Sequence, residues 1–419
     1  MNRTARRLGL AALLLLGLAG GCARQDSAPL RVGVVHSLTG TMAASEKPLV
    51  EAVRMAVDEI NARGGLLGRQ VKVIVADSRS DPDHAAREAE RLIDGEKVDV
   101  LFACWTSACR QAVRPVVEQH HHLMFYPVQY EGLELSPNIV YTGATANQQI
   151  IPGTQWALEH LGKRVFLVGS NYVFPRVGNR IVHDVVIASA GPAAGAEVVG
   201  ELYRPLGDRD FSQVIAAIRA TKPDVIFNTV NGDSNIALFS ALRQAGLNQL
   251  PVMSFSVDAS SLPSLAPFGH TRHYAAWGYF QALPGEANRR FVSAWQARRG
   301  KAAPTSDPIE AAYVGVKLWA QAVVSARSAK LDEVNLALAR ESVAAPSGVL
   351  AVDAGTRHLW KPFHVGKVVA GADAAQAGFE VVFGHGTPLR PEPFPVYRMR
   401  DAWENIGLTA LIDSRESRP

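Results

Sequence analysis

From Leu30 onward, apolar runs of strand length alternate with amphipathic runs of helix length, and this alternation limits the fold more than any other feature of the chain. "LRVGVVHS" is a short buried strand. "SEKPLVEAVRMAVDEINARGG" follows, with Leu49, Val50, Val53, Ala56, Val57 and Ile60 on one helical face and Gly64-Gly65 at its end. "QVKVIVAD" is the next strand, and Asp81-Pro82 offers an N-cap followed by proline at the first helical position, opening "DHAAREAERLIDG". "VDVLFA", "SACRQAVRPVVEQ" and "LMFYPV" continue as strand, helix, strand. This order predicts an α/β fold with a mostly parallel sheet covered on both faces. The rhythm resumes after Asn147 with "IPGTQWALEHLG", "RVFLVGS", "VGNRIVHDVVIASAG", "EVVGELYRP", "FSQVIAAIRATK", "PDVIFNTV", "NIALFSALRQAG" and "LPVMSFS". Two α/β halves therefore meet near Tyr141–Asn147. No Gly/Ser-rich or Pro-rich linker separates them, which predicts several crossing segments rather than one tether. The expected division is residues 30–145 plus about 275–345 in the first half and 146–274 plus about 346–419 in the second. "YAAWGYFQ" and "IEAAYVGVKLWAQAV" are assigned back to the first sheet, and "GVLAVDAGTRHLWKPFHVGKVV" to the second.

The N-terminus, "MNRTARRLGLAALLLLGLAGGCARQDS", has a basic start, an apolar run from Leu8 to Leu18 and small residues before Cys22. That is the build of an export signal over residues 1–21, with a short tether over 22–29. "LAGGC" resembles a bacterial lipobox, in which the cysteine becomes the lipidated first residue; Ala19 stands where leucine is preferred. The expected location is periplasmic, anchored to the membrane through lipid on Cys22. Arg3, Arg6 and Arg7 supply three of the four net positive charges, so the rest of the chain is nearly neutral and gives no support to a nucleic-acid partner. Beyond Cys22 the cysteines are Cys104 and Cys109, at a strand end and in the adjoining helical turn. Two buried thiols are expected there, with a short-loop disulfide as the alternative.

Enzyme motifs are missing: no GxxxxGK[ST], GxSxG or HExxH, and no GxGxxG after the first strand. His120-His121-His122 is a poor chelator, because neighbouring residues of an extended segment face opposite ways. Neither an enzyme, a metal nor a cofactor is expected. What remains are strand ends. In open parallel sheets, ligands sit beyond the carboxyl ends of the strands, beside helix N-termini. Trp105, Thr106 and Ser107 lie at such an end: free backbone N–H groups and two hydroxyls can hold a ligand oxygen, and the indole supplies a wall. Equally, a hydroxyl there can simply cap the helix. "FYPVQYEG" places Tyr126 and Gln129 after another strand, "GSNYVFPR" places Asn171, Tyr172 and Phe174, and "NTVNGDSN" places Asn231 and Asp233. Together they describe a cleft of aromatic and neutral polar groups suited to a small, uncharged polar ligand.

"VGVVHSLTGTMA", "AVDEINARGGLLGRQV", "CWTSACRQAVRPVVE", "FYPVQYEGLELSPNIVYTGATANQQ", "VGSNYVFPR" and "FNTVNGDSN", in this order after a lipoprotein-like leader, resemble the type I periplasmic solute-binding proteins of ABC importers. Within them the similarity is to the urea and short-chain amide receptors. The resemblance runs from about Leu30 to about Pro395 and implies two doubly wound lobes joined by three crossing segments, with the ligand trapped in the central cleft. It implies amide contacts from Trp105, Thr106, Ser107, Tyr126, Gln129, Tyr172 and Phe174, with Ser107 and nearby N–H groups holding the carbonyl oxygen. Asn171 stands where the family usually has aspartate. The implied partners are urea or a short amide, a membrane permease and, through it, an ATPase. Two alternatives stand beside this reading. One is a branched-chain amino-acid-type receptor, with Asp233 or Asp258 as the ammonium partner. The other is a periplasmic amide sensor that signals through a membrane protein.

Overall fold

A computed structural model describes residues 28–189, 191–269, 271–371 and 377–394; the expected export signal over residues 1–21 and Cys22 lie outside the described residues. Local chemistry places the first elements as expected. β1 (Leu30–His36) is an almost wholly buried run. Helix α1 (Ala43–Ala62) buries Leu49, Val50, Val53, Ala56 and Val57. β2 (Val71–Asp77) leads to α2 (Pro82–Asp94), where the Asp81 carboxylate accepts from the His84 N–H at 2.6 Å. Such a cap contributes about 1 kcal/mol. β3 (Val100–Ala103), α3 (Ser107–Gln119), β4 (Met124–Tyr126) and β5 (Ile139–Tyr141) complete the first sheet, all parallel, in the order β2-β1-β3-β4-β5. Val100, Leu101 and Phe102 are at most 1% exposed. Burying each such side chain contributes roughly 1.5–3 kcal/mol, so β3 anchors whatever follows it.

The second lobe repeats the plan. Helix α4 (Ile150–His160) precedes β6 (Arg164–Ser170), α5 (Val173–Ala188), β7 (Glu197–Arg204), α6 (Ser212–Thr221), β8 (Val225–Thr229), α7 (Ser234–Gln244), β9 (Val252–Ser254), α8 (Leu262–Leu265) and β10 (His273–Trp277). The parallel part has the order β7-β6-β8-β9-β10, the same winding as the first sheet. Helix α9 (Glu286–Arg299), α10 (Asp307–Ala326), α11 (Leu331–Leu338) and a hairpin of β11 (Ser342–Ala345) and β12 (Gly348–Ala351) follow. Two antiparallel strands, β13 (Lys361–Val369) and β14 (Gly378–Leu389), extend the second sheet beyond β10.

The late assignments need two corrections. The strand containing Tyr274–Trp277 does not return to the first sheet; it pairs with β9 and β13 in the second. The helical turns between β9 and β10 provide the crossover a parallel neighbour requires, so the chain can add this strand without leaving the lobe. Conversely, Ala345, Leu350, Val352 and Leu359 bury in the first lobe's core, so the β11–β12 hairpin sits there and the chain changes lobes only near Lys361. Helix α10 does return to the first lobe: Tyr313 Oη donates to Glu59 of α1, and Lys317 pairs with the same carboxylate at 3.1 Å. The segments after Tyr141, after Trp277 and before Lys361 are thus the three crossings.

These crossings meet around buried charge. Lys361 Nζ donates to Asp307 Oδ1 at 3.1 Å and to the Thr142 carbonyl at 3.3 Å. Glu310, fully buried nearby, accepts from the Ser347 N–H at 2.7 Å.

Candidate functional site

Both parallel sheets wind outward from a switch point, β1/β3 in the first lobe and β6/β8 in the second. Ligand crevices form at such points because the loops leaving adjacent strand ends diverge to opposite faces. Here the two switch points face each other. Trp105, after β3, donates its indole N–H to Asn231 Oδ1, after β8, at 3.2 Å. Thr41, after β1, donates its hydroxyl to the Asp233 carboxylate, and its carbonyl accepts from the Asp233 N–H at 3.3 Å. Gln129, after β4, donates to the Phe255 carbonyl, after β9, at 2.8 Å. Sequence reasoning placed Trp105, Asn231, Asp233 and Gln129 at strand ends; the structure brings each to the opposite lobe.

The loop after β3 is tightly built. Cys104 has a left-handed backbone, φ 71°, and is bonded to Cys109, with Cα atoms 5.6 Å apart. The expectation of two free buried thiols is therefore corrected: the left-handed turn swings Cys104 back over the first helical turn, within bridging reach. Thr106 caps α3, its Oγ1 accepting from the Cys109 N–H at 3.1 Å. Tyr126 Oη donates to the Trp105 carbonyl at 2.6 Å. Burial pushes the Tyr126 hydroxyl's pKa well up, so it stays a neutral donor.

Ser107 is not the free donor expected for a ligand carbonyl. Its hydroxyl proton goes to Glu131 Oε2 at 2.6 Å, and it accepts from Arg110 Nη1 at 3.0 Å. Arg110, fully buried, also donates to Glu131 at 3.0 Å and to Glu134 at 2.9 Å, and lies over the Tyr130 ring at 4.4 Å. Arg114 reaches Glu134 at 3.2 Å. Two cations thus balance two carboxylates. Burial opposes the Arg110 charge, but Glu134 and Glu131 outweigh it and raise its pKa further. Burial would raise Glu134, yet Arg110, the Tyr141 hydroxyl and Arg114 hold it below the usual carboxylate range. Sequence reasoning missed this quartet. Its signal was a basic pair, Arg110 and Arg114, on a helix face otherwise turned inward by Val113 and Val117.

On the second lobe, Tyr172 is 6% exposed. Burial pushes its hydroxyl's pKa up, and Tyr126, Glu131 and Glu46 add to the rise, all of them first-lobe groups. Phe174, in the first turn of α5, is buried and belongs with Tyr172 to the second lobe's apolar cluster. Asn171 is half-buried and accepts from Arg176 Nε at 2.7 Å, fixing its own loop. Asp258 is also committed locally, accepting from the Ser260 N–H at 3.0 Å. A further first-lobe cluster went unforeseen: Glu46 accepts from Ser37 and bonds His36 Nδ1 at 2.8 Å. It borders a small cavity that Met42, Thr106 and Cys109 also line. A groove of about 890 Å³ between α6 and α7 is lined by second-lobe residues and shares only Asp233 with the candidate site residues. The three adjacent histidines diverge, His122 to the Val98 carbonyl at 2.7 Å and His120 towards Asp94 at 3.5 Å.

Known proteins share this construction. The chain is 24% identical over 391 residues to a Leu/Ile/Val-binding protein homolog 6 of Brucella melitensis, covering 90% of this chain and 96% of that one. A solute-binding protein of an ABC transporter from Rhodopseudomonas palustris, in complex with 3,4-dihydroxybenzoic acid, superposes with a TM-score of 0.76 at 22% identity, covering 87% of this chain and 99% of that one. The branched-chain amino acid transporter substrate-binding protein LivJ of Streptococcus pneumoniae, in complex with isoleucine, gives 0.73 at 19% identity, covering 84% and 99%. The family model described as periplasmic binding protein domain matches residues 30–400. With two facing switch points, three crossings and a match over nearly the whole described chain, this protein belongs to the periplasmic binding protein family.

Proposed function

We propose that the chain is an exported receptor that captures a small nitrogen-bearing solute between its lobes and delivers it to the permease of an ABC importer. The observation that carries this reading is the pairing of strand-end loops across the lobes: Trp105 with Asn231 and Thr41 with Asp233 at the switch points, and Gln129 with Phe255 beside them. A solute seated there bridges two rigid sheets, so its binding energy favours the closed arrangement over an open one. No helix among the described residues is long and apolar enough to cross a membrane; lipid on Cys22 is the anchor this reading assigns.

Two ligand classes have specific support. The names of the relatives, Leu/Ile/Val-binding homologues and an isoleucine-bound neighbour, favour a branched-chain amino acid. For that ligand, an ammonium partner would come from Asp233, whose carboxylate accepts from Thr41, or from Asp258, which accepts from Ser260 through one oxygen; Glu131 is already taken up by Ser107 and Arg110. The cleft's charge balance and the sequence resemblance favour urea or a short amide. Arg110 and Arg114 already neutralise Glu131 and Glu134, which leaves acceptor oxygens for N–H groups without an excess charge to be paired. Titration calorimetry of the mature protein against L-leucine, L-isoleucine, urea, formamide and acetamide separates the two. Micromolar binding of the amino acids alone selects the first class, and binding of urea or an amide alone selects the second. Heat from none of them overturns the receptor reading for nitrogen-bearing solutes.

A further inference from the structure

We infer that Cys104 and Cys109 are positioning residues for the ligand loop, and that a dithiol able to reduce their bond lowers the receptor's affinity. The inference rests on the proposed cleft site and concerns its regulation. The bridge closes a ring around Trp105, Thr106, Ser107 and Ala108, three of which are candidate ligand residues. Two features of that ring depend on the covalent link. Cys104 holds a left-handed backbone at φ 71°, a conformation L-residues rarely adopt. Cys109 is the residue whose N–H completes the Thr106 cap. Tying one sulfur to the other holds the turn to the first turn of α3, and Trp105 is carried between them towards Asn231. Preforming a loop in its bound shape improves affinity by removing an ordering cost.

One of the two sulfurs is also the more reachable. Cys104 is wholly buried, whereas Cys109 is 7% exposed and lines the small cavity with Ser37, Met42, Glu46 and Thr106. A dithiol's thiolate attacks the Cys109 sulfur, forming a mixed disulfide and releasing Cys104 as a thiolate that takes up a proton. The dithiol's second sulfur then displaces Cys109, which is protonated in turn. Two electrons pass from the dithiol, which leaves as a disulfide, and two cysteine thiols remain. Exported proteins meet both oxidising conditions and dithiol reductases, so the state of this bond can vary. By reciprocity, if reduction weakens ligand binding then ligand opposes reduction, by about 30 mV of potential for each tenfold change in affinity.

The test uses the full mature chain, oxidised and after dithiothreitol, with thiols counted in each state. Hydrogen exchange over Leu101–Val113 is measured in both states without ligand. Calorimetry then uses whichever of urea, acetamide or L-leucine binds the oxidised protein. Faster exchange at residues 104–109 on reduction is expected, with affinity weakened roughly tenfold and restored by glutathione disulfide. Cys104→Ala/Cys109→Ala should match the reduced protein and ignore dithiothreitol. Unchanged exchange in this loop, an affinity within twofold while the melting temperature drops, or no thiol release at any dithiol concentration would each overturn the inference. If none of the three probes binds, the exchange arm alone decides the loop's dependence on the bond, and the proposed function is judged separately on its own five solutes.

Discussion

Replacing Arg110 with methionine should destabilise the first lobe more than any other single exchange in the cleft. The guanidinium is fully buried and makes three hydrogen bonds of 2.9–3.0 Å, to Ser107, Glu131 and Glu134. Methionine keeps much of the stem's packing against Tyr126 and Tyr130 but none of the charge. Glu131 and Glu134, each with a side chain under 5% exposed, would then share the half-exposed Arg114 alone. Leaving a buried charge uncompensated costs about 3–5 kcal/mol. For a lobe of this size that is roughly 6–20 °C in melting temperature. Guanidinium chloride titration followed by tryptophan fluorescence and circular dichroism measures it, and avoids urea, a candidate ligand. The pH dependence gives a second reading. In the wild type, Glu134 titrates below its unfolded value, so its contribution is present above that value and is lost as pH falls through the folded one. Without Arg110, burial is left less opposed and Glu134 rises, so the variant's penalty shrinks as pH falls from 7 towards 4. Arg110→Met/Glu131→Gln/Glu134→Gln should recover most of the loss at pH 7. A single variant within 1 kcal/mol of wild type, or a penalty indifferent to pH, would refute the reasoning.

Other sites make separate predictions. Burial, with Asp307 alongside and Lys361 and Ser347 opposing, pushes the Glu310 carboxyl up to about 7; the Tyr279 hydroxyl also faces it. Its folded value lies above the unfolded one, so it takes stability away as pH rises from about 4.5 through 7, at up to about 1.4 kcal/mol per unit. Glu310→Gln should flatten that slope in denaturant titrations between pH 5 and 8, and parallel curves would count against it. Trp105→Phe removes the indole donor to Asn231 and should raise the dissociation constant of the bound solute about 2–10-fold by calorimetry; an unchanged constant would mean that the contact does not assist closure. Gly278→Ala would set a Cβ 2.9 Å from Lys361 Cε and 3.0 Å from the Pro362 carbonyl, where three crossings meet. Overpacking there should cost about 1–3 kcal/mol by thermal melting, and a neutral substitution would show that the junction yields.

The sequence by itself determined the elements and their order. Helix α2 starts where Asp81-Pro82 predicts, and, apart from the three-residue β5, which the sequence did not reveal, the strands from β1 to β9 fall on the quoted apolar runs, because caps, turns and periodicity act over a few neighbouring residues. Loops at strand ends were legible for the same reason, and so Trp105, Gln129, Asn231 and Asp233 could be named as candidates. Tertiary structure decided what those residues touch. Nothing local says that β10 stays in the second sheet or that the proton of Ser107 belongs to Glu131. Such outcomes depend on which distant groups the assembled fold brings within hydrogen-bonding or packing distance. The disulfide is the intermediate case: the sequence supplied two cysteines five residues apart, and only the left-handed turn at Cys104 brought their sulfurs together.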